Sequence, residues 1–319
     1  MRLLAALSAV LCAVLSAAPA SAQYPARPVR LVLSTPAGGP SDTAARALAQ
    51  SLAKSLGQPV IVENKPGANG AIAVQAVMAA PPDGYTLLWG IASMATLPLV
   101  QKSAPFQSMA ELTPVSLVGS FAFGLFVHPA VPARSVSEFV SYLRARPDQL
   151  NYATGTLGEY MAGARLLKAS GTSALRVPYR GGQQLMPDLL ADRVQFNIGP
   201  LSGGLPHVRD GKLRLLAVLL PQRSALAPDT PTLEEAGITS VVLPTWQAIL
   251  APPNTPRDVV ERLSREVARS LGDDAGLRGQ LEQQGLLVQA AGPEALAATI
   301  ARDIETWRTF VREYSIPQE

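Results

Sequence analysis

The chain is predicted to fold as a two-lobed α/β protein in which mostly parallel sheets carry helices on both faces. Three observations support this: β-rich and helix-periodic segments alternate, breaker-rich loops separate them, and 319 residues exceed one domain of about 150. With 48% hydrophobic and 16% charged residues, the chain can bury a sizeable core and is too apolar for disorder.

The first strand is read at Val29-Arg30-Leu31-Val32-Leu33, which stops at the breaker cluster Ser34-Thr35-Pro36-Ala37-Gly38-Gly39-Pro40-Ser41-Asp42. A helix follows, because Ala45, Leu48, Leu52 and Leu56 recur every three or four residues. Asp42 or Ser41 is placed to cap its start, and Gly57 sits where a helix ends. Val60-Ile61-Val62 gives a second strand, residues 64–70 a loop, 71–79 a helix and 85–89 a third strand. The same order recurs with a strand at 125–127, a helix from about 136 to 145, and a strand at 150–153 running into Thr154-Gly155-Thr156-Leu157-Gly158-Glu159. Another helix is expected near Tyr160, then a strand at 175–177, a Gly181-Gly182 break, a helix over 183–191 and strands at 196–198 and 213–220. In the tail, Thr255-Pro256 reads as a cap and first-turn proline before the stripe Val259, Leu263, Val267 and Leu271. From Pro293, Leu296, Ile300, Ile304, Trp307, Val311 and Tyr314 form a second stripe, and both stripes are expected to cover a sheet.

The apolar run at residues 3–15 follows Arg2 and is shorter than the roughly 20 residues of a membrane helix. With Ala20-Ser21-Ala22 as a cleavage pattern, residues 1–22 read as a signal peptide and Gln23 as the new N-terminus. Cleavage removes Cys12, the only cysteine, and with it thiolate chemistry, disulfides and Cys-ligated metals. His128 and His207 are the two histidines, each beside a proline, and no H-E-x-x-H, G-x-S-x-G or Walker-type loop is present. The formal charge of +3 is scattered, which argues against a nucleic-acid surface. No metal and no cofactor are expected.

The informative feature is a pair of Gly/Ser/Thr-rich loops that each end a strand and open a helix, one around Ala37-Gly38-Gly39-Pro40-Ser41 and one at Thr154-Gly155-Thr156. Helix N-termini leave backbone N–H groups without internal partners and carry about half a positive charge, so two such loops can hold a small anion without a basic side chain. Four donors to a charged group contribute roughly 6–12 kcal/mol, against about 8 for micromolar binding.

At these residues the chain resembles the substrate-binding proteins of the tripartite tricarboxylate transporter class, also called Bug receptors. The resemblance rests on Tyr24-Pro25-Ala26-Arg27-Pro28-Val29-Arg30 leading to Pro36-Ala37-Gly38-Gly39 and Asp42, and on Gly57-Gln58-Pro59-Val60-Ile61-Val62-Glu63-Asn64-Lys65-Pro66-Gly67-Ala68. Further on, Pro82-Asp83-Gly84-Tyr85-Thr86, Val177-Pro178-Tyr179-Arg180-Gly181, Leu205-Pro206-His207-Val208, Pro231-Thr232-Leu233-Glu234-Glu235-Ala236-Gly237 and Trp246 also match.

The resemblance implies a periplasmic protein whose two lobes close like a Venus flytrap on a small carboxylate, with lobe 1 at 24–124 plus 247–319 and lobe 2 at 125–246. It places ligand contacts at Ala37, Gly38, Gly39, Ser41, Asp42, Thr154, Gly155 and Thr156. It also implies a monomer that delivers its ligand to transporter membrane subunits, without a reaction of its own. Two positions depart from the family pattern. Thr35 stands where an aromatic often precedes the glycines, and Glu159 lies where a Ser/Thr-rich stretch and a histidine are usual. Glu159 is expected either to turn away as a structural cap or to pair with a cationic part of the ligand, which widens the ligand class from simple organic acids to amino-acid-like compounds. A sensing accessory for a signalling receptor is the alternative role. An exported hydrolase using Ser41 beside Asp42 is a weaker one, because Ser41 has no histidine neighbour in sequence.

Overall fold

The computed structural model describes residues 24–179, 182–220, 222–239, 241 and 243–318. The expected signal peptide, Gln23 and the Arg180-Gly181 part of the loop after the 175–177 strand lie outside the described residues.

The first βα units form as read: β1 (Val29–Leu33), α1 (Pro40–Leu56), β2 (Val60–Asn64), α2 (Ala71–Met78) and β3 (Thr86–Ile91). A one-turn helix α3 (Leu97–Val100) precedes β4 (Thr113–Phe121), and only Ala122 separates β4 from β5 (Phe123–Val127). Then come α4 (Val136–Arg144), β6 (Asn151–Thr154), α5 (Leu157–Ser170), β7 (Leu175–Pro178), α6 (Gly182–Leu190), β8 (Phe196–Pro200), α7 (Leu201–Arg209) and β9 (Arg214–Val218). The chain closes with β10 (Trp246–Ala251), α8 (Arg257–Asp273), α9 (Ala275–Gln283), β11 (Leu286–Ala291) and α10 (Pro293–Glu313).

The strands make two sheets, one in the order β11-β4-β10-β3-β1-β2 and one in the order β7-β6-β8-β5-β9. The chain changes sheet between Phe121 and Phe123 and returns before Trp246. Both sheets are mixed rather than mostly parallel. The pairs β1–β2, β1–β3, β6–β7 and β6–β8 are parallel, as βα repetition requires. Antiparallel pairing comes from β10 with β3 and β4, β11 with β4, and β5 with β8 and β9. The physical reason lies in the crossings: β4 hands the chain directly to β5 in the other sheet, with no crossover helix to restore direction.

Both faces of each sheet are buried. In β1, Val29, Leu31 and Leu33 join the core under α1 and α8, whereas Val32 joins the opposite core with α2 and α10. In β5, Leu125 and Val127 point to one side and Phe126 to the other. The tail stripes bury Val259, Leu263, Val267 and Leu271 in α8 and Leu296, Ile300, Ile304 and Trp307 in α10, with Phe310 rather than Val311 completing the latter. Thr255 does not cap α8. Pro256 holds the N-cap position in extended backbone, and the Thr255 hydroxyl donates instead to the Pro252 carbonyl at 2.8 Å.

Candidate functional site

Each glycine loop leaves the carboxyl end of a strand, and the same three-part arrangement holds both. In the first loop Gly38 takes φ +85°, a left-handed conformation that disfavours a side chain. Asp42, the third residue of α1, reaches back and accepts from the Gly38 N–H at 2.9 Å. Asn64 closes the parallel neighbour β2 and donates through Nδ2 to Asp42 Oδ1 and to the Thr35 carbonyl, each at 2.9 Å. In the second loop Glu159, the third residue of α5, accepts from the Gly155 N–H at 2.5 Å through Oε2. Asn197 of the parallel neighbour β8 donates to the Ala153 carbonyl at 2.9 Å and, at 3.4 Å, to the same Glu159 oxygen. A first-turn carboxyl is favoured by the helix dipole, and here it also fixes the glycine four residues before it.

The two loops differ in charge. Arg46, one turn beyond Asp42, places Nε 3.1 and 3.0 Å from the two Asp42 oxygens and donates through Nη2 to Asn64 Oδ1 at 2.8 Å. Burial would push the Asp42 carboxyl upward, but the hydrogen bonds from Arg46, Gly38 and Asn64 and the guanidinium charge outweigh it and hold it below the usual carboxylate range. Glu159 is 3% exposed, and its hydrogen-bond partners among the described residues are neutral. Burial dominates there over the bonds from Gly155, Asn197 and Thr156 and raises the carboxyl to about 7.

Two expectations about the helix starts need correction. Neither Ser41 nor Asp42 caps α1: the N-cap is Gly39, with no side-chain bond, and Pro40 follows it. The Ser41 hydroxyl donates instead to Gln247 Oε1 at 3.1 Å, which also accepts from Trp89 Nε1 at 2.7 Å. The loop amides are also not all open, because Gly38 and Gly155 already serve the chain's own carboxyls. The first intrahelical bonds run from Thr43 N to Gly39 O and from Tyr160 N to Thr156 O. The N–H groups of Ser41 and Asp42 therefore head α1 without an intrahelical acceptor, and those of Leu157 and Gly158 do the same in α5. Thr156 caps α5 by accepting from the Glu159 N–H at 3.2 Å, so this helix opens three residues before the expected Tyr160.

Among the other expected site residues, Ala37 is exposed and Thr154 is 1% exposed. The Thr154 hydroxyl is committed to Arg176 Nε at 3.0 Å. Thr35 carries a buried hydroxyl with no partner among the described residues.

Both helix starts border the segment 243–247. Ser41 rests on Gln247, and a side-chain carbon on Gly158 would stand 3.7 Å from Leu243 Cδ1 and 4.0 Å from Trp307 Cη2. Along α10, Tyr160 stacks edge-on with Phe310 at 5.5 Å, and Lys168 pairs with Glu313. Two surface depressions of about 380 and 280 Å³ lie elsewhere, and no residue of either loop lines them. No helix among the described residues is long and apolar enough to cross a membrane.

Arg46, Asn64, Asn197 and Gln247 received no site role from the sequence. The one local signal was Asn197, an amide between Phe196 and Ile198 in a strand, where asparagine is disfavoured unless its amide has partners.

A sequence profile described as "Tripartite tricarboxylate transporter family receptor" matches residues 44–316. Protein BugT of Bordetella pertussis is 34% identical over 98% of this chain and 97% of its own length. The structure of the periplasmic binding protein BugD superposes with a TM-score of 0.82 at 30% identity, covering 93% of this chain and all of that one. R. palustris Rpa4515 with adipate gives 0.84 at 29% identity, with coverage of 93% and 100%. MatC from Rhodopseudomonas palustris with bound malate gives 0.78 at 32% identity, with coverage of 90% and 100%. With paired loops on two sheets and this likeness along nearly the whole chain, the protein belongs to the tripartite tricarboxylate transporter receptor family.

Proposed function

We propose that the protein is an exported, periplasmic solute receptor that captures a small carboxylate between two lobes and delivers it to transporter membrane subunits, without a reaction of its own. The observation that carries this reading is the pair of matched βα loops, one on each sheet, whose helices start with N–H donors that have no intrahelical acceptor among the described residues. Ser41, Asp42, Leu157 and Gly158 supply four such groups. At about 1.5–3 kcal/mol each to a charged acceptor, they reach the roughly 8 kcal/mol of a micromolar complex.

In this reading lobe 1 takes residues 24–124 and 247–319 and lobe 2 takes 125–246, and the change of sheet after Phe121 and before Trp246 supports that division. Residues 1–22 act as the export signal. The loops of Thr35, Ala37, Gly38, Gly39 and Ser41 and of Thr154, Gly155 and Thr156 surround the ligand, while Asp42 and Glu159 hold those loops in shape. The adipate and malate present in the two R. palustris structures support a carboxylate as ligand.

The test is a thermal-shift panel of adipate, malate, aspartate, hexanoate and 6-aminohexanoate on the purified protein. A ligand at about 100 times its Kd stabilises the fold by about 2.7 kcal/mol. A dose-dependent rise with at least one acid is expected. A flat response to the whole panel, repeated by calorimetry, overturns the carboxylate reading.

A further inference from the structure

The two loops share a plan but not a charge balance, and that difference bears on which acids fit. At the first loop the buried Asp42 carboxylate is matched by Arg46, whose Nε contacts both of its oxygens. At the second, Glu159 hydrogen-bonds only neutral groups among the described residues, the Gly155 N–H and Asn197, while the cation at that loop, Arg176, is engaged by the Thr154 hydroxyl and the Tyr160 ring. A ligand carboxylate at the first loop meets helix donors and a compensated ion pair. A second carboxylate at the other loop meets a helix start whose glycine donor is already taken by a carboxyl of its own sign.

The geometry points to Glu159 as a specificity-determining residue: its uncompensated carboxyl stands in for the second carboxylate of a diacid, so the receptor selects acids with one carboxylate and a neutral or cationic far end. This inference rests on the receptor reading above. Like charges oppose each other more strongly in a partly desolvated site than in water, whereas an ammonium or a hydroxyl placed toward Glu159 meets no such repulsion. Desolvation pushes Glu159 toward its neutral form, so the discrimination is strongest above neutral pH, where the carboxyl is charged.

The test is isothermal titration of the full mature chain at alkaline pH with matched six-carbon probes: adipate, hexanoate and 6-aminohexanoate. Wild type is expected to bind hexanoate or 6-aminohexanoate at least about tenfold more tightly than adipate, a difference of about 1.4 kcal/mol. Glu159→Gln keeps an acceptor for Gly155 and removes the charge. It is expected to shift the ratio toward adipate by about tenfold while moving hexanoate less than about threefold. Glu159→Ser, which frees the Gly155 N–H as well, is expected to shift the ratio at least as far. A preference of wild type for adipate, or a ratio unmoved by both variants, overturns the specificity role while leaving the receptor reading intact. If none of the three probes binds wild type or either variant, this inference fails; the receptor reading fails with it only if malate and aspartate give no binding either.

Discussion

Replacing Glu159 by Gln should change the pH dependence of stability in a direction set by its burial. The folded-state carboxyl is raised from 4.5 to about 7 by burial. Between these values the native state binds more protons than the unfolded chain, so wild-type stability falls as pH rises through this window and is level above it. A gap of about 2.5 pH units at about 1.4 kcal/mol per unit puts the full cost of the ionised form near 3 kcal/mol. Glutamine keeps the acceptor for Gly155 and carries no such cost. Urea unfolding followed by fluorescence of Trp89, Trp246 and Trp307 should find Glu159→Gln gaining on wild type by about 2 kcal/mol between about pH 5 and pH 8. Comparing the two proteins at each pH cancels the titrations they share. Parallel stability curves across that range would refute the argument, because they would mean that Glu159 is ionised at little cost within the fold.

Arg46→Met should have the opposite character, since it leaves the buried Asp42 carboxylate with Gly38 and Asn64 but no cation. The depressed Asp42 carboxyl contributes stability above its unfolded value that is lost as pH falls, so the variant should lose about 1–3 kcal/mol near neutrality and show a shallower acid limb. The loss stays below that of a fully buried pair because Arg46 is half-exposed. Urea midpoints from about pH 3 to pH 7 check both parts. Gln247→Leu removes the shared acceptor of Trp89 Nε1 and the Ser41 hydroxyl. Leaving the buried indole N–H unpaired should cost about 1–3 kcal/mol, read as a lower urea midpoint; an unchanged midpoint would show that the indole N–H finds another acceptor.

The parts legible in the sequence were those with a local cause. Glycine and proline clusters marked where β1 and β6 stop, the three- and four-residue spacing of Leu48, Leu52 and Leu56 marked α1, and Gly57 marked its end in a left-handed conformation. The sequence reading did not include the strands β4, β10 and β11 or the helices α7 and α9. β4 and β10 are central strands buried mainly by their neighbours, so their register is set by partners distant in sequence.

At the site the division is sharper. Sequence alone determined that two glycine-rich turns open two helices and that an acidic residue sits in the first turn of each, because backbone freedom and dipole preference act over a few residues. What those acids do was decided only when the chain folded. Asn64 and Asn197 arrive from neighbouring parallel strands, Arg46 comes round from the next turn, and Gln247 crosses from a strand more than two hundred residues away. A carboxyl's charge depends on the groups that surround it and on how much water they displace. Those surroundings exist only in three dimensions, which is why Asp42 and Glu159, alike in the sequence, come to hold their protons so differently.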